Sequence, residues 1–258
     1  MPRDDDSTLS LHVSIERKPL TARSVLASTL LGLDPPVLPV GQLVETAALF
    51  GISENTARTA LSRMTSAGEV VADDGRYRLT GRLLDRHRRQ DEGRRPRRRR
   101  WNGRWRLAIV TTDRRAATDR AALRAELTRL RLAEWREGVW ARPDNLELAP
   151  TGLAADHCAW ATADLDEAPE LWDLDEWATE ATSLQRELRA LPIAGTGALA
   201  PGFVLSAAVL RHLASDPLLP DELLPRRWPG EQLRSTYDDW DRAYRRLLTE
   251  WYRSRRGR

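Results

Sequence analysis

Apolar residues in the first third of the chain recur at three- and four-residue spacing, the period of a helix that is buried along one face. One such segment begins after Thr21, a second begins near Pro39 and a third begins after Ser53, and each of these residues suits a helix start. Beyond Gly68 the period changes to two, and alternating segments flank Asp73-Asp-Gly75, a sequence suited to a tight β-hairpin turn. The pattern therefore predicts three helices followed by a hairpin.

The rest of the chain shows two further patterns. A strand, a helix and two more strands are predicted in the order 105–110, 114–133, 137–142 and 157–162, which suggests a small ferredoxin-like α/β unit. Strand signals then fade, and helices are predicted near 173–190, 200–214 and 232–255.

We therefore expect an α+β protein with an N-terminal winged helix-turn-helix, a central ferredoxin-like α/β unit and a helical C-terminal domain. A chain of 258 residues has room for this organisation. The predicted segments are a mobile tail over 1–18, the winged helix-turn-helix DNA-binding domain over 19–92, an arginine-rich linker over 93–104, the ferredoxin-like domain over 105–168 and the helical domain over 169–258.

The third helix carries the polar residues that point to DNA. If its apolar residues face the core, Asn55, Arg58, Thr59, Ser62 and Arg63 turn outward. Arginine can bond guanine through two donors, asparagine can do the same with adenine, and hydroxyl groups suit bases or phosphates. In a helix-turn-helix the N-terminal part of the second helix contacts bases. An ordinary amphipathic helix with a polar outer face is the alternative.

The hairpin behind this helix adds a second basic surface. Tyr77 and Leu79 share one face of their strand and would pack on the helices, whereas Arg76 and Arg78 would face phosphate or the minor groove. Together the two elements predict a DNA-binding set that comprises Ser53, Asn55, Arg58, Thr59, Ser62, Arg63, Arg76 and Arg78.

Basic charge is concentrated just beyond this region. Arginine makes up 40 of the 41 basic residues, a bias typical of a GC-rich coding sequence, so its abundance alone carries no weight. Its placement does: between Arg76 and Arg106 the net charge is +11, while the whole chain carries +3 and the remainder therefore −8. A basic block on an otherwise acidic protein is the electrostatic footprint of a polyanion-binding protein.

Several classes of protein are disfavoured. Cys158 is the only cysteine, which excludes an internal disulfide, and no segment approaches the roughly eighteen apolar residues of a membrane helix. The acidic N-terminus lacks the features of a signal peptide, so we expect a cytoplasmic protein. No P-loop or dinucleotide-binding glycine pattern is present, which predicts no cofactor.

The sequence also gives little support for an enzyme. The four histidines show no metal-ligand spacing, and His157 and Cys158, neighbours on a predicted strand, would point to opposite faces. We therefore predict no catalytic residue, no metal site and no enzyme. The alternatives to a DNA-binding regulator are an RNA-binding translational regulator and a metal-dependent nuclease centred on Asp113.

Several short segments of the chain form a recognisable set, namely Ala22-Arg-Ser, Gly51-Ile-Ser, Arg58-Thr-Ala-Leu-Ser-Arg63, Tyr77-Arg-Leu-Thr80, Trp101-Asn-Gly-Arg-Trp-Arg-Leu107, Asp216-Pro-Leu-Leu-Pro-Asp-Glu-Leu-Leu-Pro225 and Trp228-Pro-Gly230. In these segments the chain resembles the phenylacetate-catabolism repressors, the PaaX-like family of transcriptional regulators. The resemblance implies the three-domain organisation above, a homodimer, and repression of catabolic genes that an aromatic acyl-CoA relieves. A two-fold protein would read an imperfect inverted repeat in duplex DNA.

Two features bear on that effector. Tryptophans gather in and beside the central unit, where they would line an aromatic pocket or simply fill a small core; the candidate effector-binding residues are Trp101, Arg104, Trp105 and Trp140. The run from Arg94 to Arg100 would hold DNA phosphates, hold the phosphates of a CoA-like ligand, or form a solvated linker.

Overall fold

The structure is a computed structural model that describes residues 20–111, 117–165 and 170–256. The predicted tail over 1–18 lies outside these residues. Helices and strands are mixed along the chain, which confirms the α+β class.

The N-terminal unit combines three helices with a small antiparallel sheet. Its elements are α1 (Ala22–Leu31), β1 (Val37–Pro39), α2 (Val40–Ala48), α3 (Glu54–Ser66), β2 (Val70–Asp73) and β3 (Arg76–Leu79), and the strand order is β1-β3-β2. Thr21 and Ser53 cap α1 and α3 through their side chains, as predicted. Asp74 and Gly75 both have positive φ, as a two-residue hairpin turn requires. The strand β1 has only three residues, which is too short to show an alternating pattern, so the sequence does not predict it.

The next helix, α4 (Gly81–Arg94), leads out of this unit and runs against the backbone near residue 213. Gly93 permits this, because its missing side chain lets α4 lie directly against the backbone of residue 213; a Cβ there would sit 2.2 Å from the Leu213 carbonyl oxygen. Residues 95–103 then run without regular structure to the central unit.

The central unit has the connectivity β-α-β-β-α-β. It consists of β4 (Arg104–Val110), α5 (Ala117–Arg129), β5 (Ala133–Arg136), β6 (Val139–Pro143), α6 (Gly152–His157) and β7 (Cys158–Asp164), and the antiparallel strand order is β5-β6-β4-β7. Two sequence predictions were wrong here. Arg131 turns the chain with φ of 62°, so the predicted helix ends early and β5 follows. His157 ends a short helix rather than starting a strand.

The C-terminal unit packs three long helices, α7 (Leu174–Ala190), α8 (Leu199–Ser215) and α9 (Gly230–Arg256), around one apolar core. Contrary to the expectation that no segment approaches a membrane helix, residues 196–215, which include α8, are long and apolar enough to cross a membrane by length and composition alone. Leu205, Val209 and Leu213 of α8 are nevertheless buried among α7 and α9, so one face of this helix packs into the apolar core.

Candidate nucleic-acid interface

Burial divides α3 into an inner and an outer face. Ala57, Leu61 and Met64 are no more than 1% exposed and pack in the N-terminal unit. The five outward residues of the prediction, Asn55, Arg58, Thr59, Ser62 and Arg63, are all exposed. The predicted helix register is therefore confirmed, whereas the role of these side chains in DNA binding stays a prediction.

Two residues at the start of α3 have partners within the helix. The Ser53 hydroxyl accepts from the Thr56 amide at 3.2 Å and lies 2.8 Å from the Thr56 hydroxyl, so it is engaged as a cap. Arg58 donates from Nε to Glu54 at 2.7 Å, and both side chains are more than half exposed. Such a surface pair is weak, so the Arg58 guanidinium can exchange Glu54 for a stronger acceptor.

The strand β3 presents a second exposed basic surface. It is the central strand of its sheet, and Leu79 is fully buried with Tyr77 packed beside the same core. Because side chains alternate along a strand, Arg76 and Arg78 point to the opposite face, and both are exposed. This is the arrangement that the sequence predicts for the hairpin.

Four arginines of the run from 94 to 100 have carboxylate partners in the fold, which corrects its interpretation as a solvated linker. Arg94 donates to Asp238 at 2.6 Å and to Asp241 at 2.9 Å, both on α9. Arg98 and Arg99 also pair with carboxylates, namely those of Asp221, Glu231 and Asp144. Part of the basic charge of the run is therefore neutralised within the fold by acidic residues that lie outside it in sequence.

The segment that starts at Asp216 has a structural role at the junction of the three units. The Asp216 carboxylate accepts from Arg234 at 2.5 Å and from the Leu218 amide at 2.8 Å. Arg142 of β6 is fully buried and donates to Asn145 at 2.9 Å, and Asn145 in turn donates to the Leu218 carbonyl at 2.8 Å. The central and C-terminal units are thus joined by buried polar contacts around Asp216.

The four candidate effector residues are not brought together. Trp105 packs with Leu107 on one face of the central sheet, and Trp101 meets Trp105 edge-on at 6.2 Å and donates to the Arg104 carbonyl at 2.7 Å. Trp140 belongs to the other face, where it packs with Ala108 and the helices. Since the sheet separates Trp105 from Trp140, these residues cannot line one pocket.

Metal-ligating side chains do not gather within the described ranges: no group of three or more His, Cys, Asp or Glu residues is found there. Asp113, on which the nuclease alternative rests, lies outside the described residues.

Comparison with known proteins covers each unit of the chain. Residues 21–83 match the family model described as PaaX-like protein, residues 98–169 match the PaaX protein central Cas2-like domain, and residues 172–254 match the PaaX-like protein C-terminal domain. No curated protein matches the chain. A solved structure described as uncharacterized protein Rv0674 from Mycobacterium tuberculosis is similar, with 44% identity and a TM-score of 0.68 over 89% of this chain and 98% of that one. The three matches run in order along the chain and span most of it, so the chain belongs to the PaaX-like protein family.

Proposed function

We propose that this PaaX-like protein is a transcriptional regulator that binds duplex DNA through α3. The observation that carries the proposal is the outward face of this helix. Asn55, Arg58 and Thr59 are exposed near its N-terminal end, and among the described residues the only ion pair there lies within the helix, between Arg58 and Glu54. These are the residue types that read base edges in the major groove, at the position where a helix-turn-helix reads them.

The proposal assigns a fold to each unit. The N-terminal unit, over about 19–92, is a winged helix-turn-helix in which the β2–β3 hairpin is the wing, and Arg76 and Arg78 contact the DNA backbone. The central unit, over about 105–168, is ferredoxin-like, supported by its β-α-β-β-α-β connectivity and its strand order. The segment over 169–258 is the helical domain.

Membership of the PaaX-like family supports a proposal for the mode of action. We infer a cytoplasmic homodimer that binds an imperfect inverted repeat and represses catabolic genes until a small-molecule effector releases it. Two-fold symmetry of the protein would be mirrored in two half-sites on the DNA.

The decisive experiment is a selection of bound sites from random duplex DNA with the full chain, followed by footprinting. We expect enrichment of one inverted repeat with two protected half-sites. A variant in which Asn55, Arg58 and Thr59 are all alanine should lose the enrichment while it keeps its thermal transition, because these side chains are exposed. Failure to enrich any duplex sequence, or preference for structured RNA over DNA in competition, would overturn the proposal.

A further inference from the structure

A large cleft lies where the N-terminal, central and C-terminal units meet. It is bounded by α4, by the arginine run, by the end of α5 and by the loop over 146–151, and its cavity volume is about 760 Å³. Eight arginines line it against five carboxylates, so its walls carry a net positive charge. We call it the arginine cleft and define it by Arg89, Arg97, Arg131, Leu130, Leu148 and Leu218. Its volume falls within the usual range for small-molecule sites.

Arg131 supplies a buried charge that is only partly compensated by carboxylates. Its side chain is 3% exposed, and Nη1 donates to the carbonyls of Ala214 (at 3.1 Å) and Asp216. Nη2 has no hydrogen-bond partner among the described residues, and it forms only a long ion pair, at 4.0 Å, with the carboxylate of Glu92. Burial, followed by repulsion from Arg89, lowers the pKa of Arg131 to about 10, as expected for a cation that its surroundings do not fully compensate.

Two arginines of the cleft, Arg89 and Arg97, have no carboxylate partner within the described part of the chain. Arg89 donates to three backbone carbonyls, of which those of Ala214 and Thr128 lie at 3.1 and 3.2 Å. Arg97 is exposed and has no hydrogen bond or ion pair to any residue that the structure describes. Its neighbours Arg98 and Arg99, in contrast, are tied to carboxylates. Three guanidinium groups therefore raise the positive potential in one concave space.

The shape and the lining of the cleft restrict what would neutralise this charge. Arg131 is recessed, so the backbone of a DNA duplex cannot reach it, whereas a small anion can approach the cleft floor. Guanidinium groups match the geometry of phosphate oxygens, and a ligand with a single carboxylate would leave most of the charge unbalanced. Leu130, Leu148 and Leu218 add an apolar wall for an organic portion.

We propose that the arginine cleft binds a small organic ligand that carries clustered phosphates, such as a di- or triphosphate ester. Arg89 and Arg97 face the phosphates, Arg131 contributes its charge from the floor, and the leucines contact the organic portion.

The cleft also has a route to the N-terminal unit. Arg89 lies on α4, which begins two residues after β3 and packs against α1. A ligand that bridges α4 to the central unit would therefore bias the position of the N-terminal unit. Here the inference rests on the proposed function: ligand binding would change the affinity for DNA.

Isothermal titration of the full chain with phosphate, pyrophosphate, ADP and ATP tests the site without DNA. We expect saturable one-to-one binding that is tighter for di- and triphosphates than for phosphate and that survives about 0.15 M salt. Arg97→Gln should weaken binding about tenfold, as expected when one charge-assisted hydrogen bond is removed. Arg100→Gln is the matched control, since Arg100 belongs to the same run and is exposed but does not line the cleft; its effect should stay below about twofold.

Arg89→Gln is a second variant and should also weaken binding. Because Arg89 donates to three backbone carbonyls, this variant should also be less stable, and its binding is measured well below its thermal transition. Absence of binding by every probe, or equal weakening by Arg97→Gln and Arg100→Gln, would overturn the inference and leave the DNA selection unaffected. Saturable binding that only Arg97→Gln and Arg89→Gln weaken supports the site even if no DNA is selected. A shift in DNA affinity with ATP that disappears in Arg97→Gln would support the coupling, and an unchanged DNA affinity at ligand saturation would refute it.

Discussion

Arg94, at the last residue of α4, donates through Nη2 to the carboxylate of Asp241 at 2.9 Å, and Asp241 on α9 is only 4% exposed. The guanidinium also lies 4.8 Å from the ring centroid of Tyr237. This ion pair joins α4, the helix that leaves the N-terminal unit, to α9, the longest helix of the C-terminal unit. It gives a basic residue of the run a place in the interior, where its partner is a carboxylate 147 residues away in sequence.

Replacing Arg94 by Gln should destabilise the protein. Removal of one partner from a buried ion pair costs roughly 3–5 kcal/mol, and the destabilisation here should be nearer about 2 kcal/mol because Arg245 still donates to Asp241. Urea unfolding measures the change. Arg100→Gln, an exposed neighbour in the same run, should stay within about 0.5 kcal/mol of the wild type. Equal stabilities for the two variants would contradict a structural role for Arg94.

Two glycines should respond to alanine in opposite directions. At Gly93 a Cβ would lie 2.2 Å from the Leu213 carbonyl oxygen, a backbone atom that cannot move aside, so Gly93→Ala should cost about 1–3 kcal/mol by forcing α4 from α8. Gly41, in α2, has nothing within 4 Å of its Cβ position. Gly41→Ala should therefore stabilise the protein through helix propensity, by less than about 0.5 kcal/mol because Gly41 lies in the first turn of α2. Thermal unfolding of both variants checks the pair, and a stabilising Gly93→Ala would show that the two helices do not approach this closely.

Arg58→Ala should weaken binding to the selected DNA site by about 1–3 kcal/mol and leave binding to random DNA nearly unchanged, because a base contact carries sequence information. Fluorescence anisotropy on both DNAs measures the difference. Arg242→Ala is the control: Arg242 is also an exposed helical arginine paired with a carboxylate on its own helix, but it belongs to α9. Equal weakening on selected and random DNA would make Arg58 a phosphate contact.

Arg76 and Arg78 should affect how strongly the DNA affinity depends on salt concentration, and not which DNA sequence is preferred. Replacement of both by Gln is expected to lower the slope of log affinity against log salt concentration by about 0.9 for each phosphate that the protein no longer neutralises. The preferred sequence should not change, since phosphate contacts position a protein without reading bases. An unaltered slope would remove the hairpin from the interface.

The buried phenol of Tyr252 should make the folded protein less stable at alkaline pH. Burial raises the pKa of this phenol to about 12, and its hydroxyl lies 2.6 Å from the hydroxyl of Thr46 on α2. The folded state thus holds the proton more tightly than the unfolded chain, whose tyrosines titrate near about 10. The stability that the protonated Tyr252 contributes to the folded state is fully present below a pH of about 10, and it is lost as the pH rises from there towards 12.

Tyr252→Phe should therefore cost about 1 kcal/mol at neutral pH and show a shallower decline of stability between about pH 10 and 12. Thr46 keeps a partner in the variant, because its hydroxyl also donates to the Gln42 carbonyl at 2.8 Å. Chemical unfolding across this pH range compares the two proteins. Parallel declines would show that Tyr252 does not titrate with folding.

Local chemistry determined much of the fold in advance. Caps such as Thr21 and Ser53, the turn at Asp74 and Gly75, and the periods of α3 and of the long C-terminal helices depend on neighbouring residues, so the sequence alone predicts them. The inward and outward faces of α3 follow from the same period, and the candidate DNA-reading surface was accessible to sequence reasoning for that reason.

Only the tertiary structure determines which arginines of the run are paired with carboxylates. Arg94, Arg97 and Arg98 are chemically identical and lie in one run. Arg94 nevertheless pairs with buried Asp241, and Arg98 pairs with Asp221. Arg97 has no ion pair to any described residue and lines the arginine cleft. Whether a guanidinium is neutralised depends on carboxylates more than a hundred residues away, and no local pattern encodes that distance. The separation of Trp105 from Trp140 has a similar cause, because the register of β4 against β6 determines which side chains share a face of the sheet.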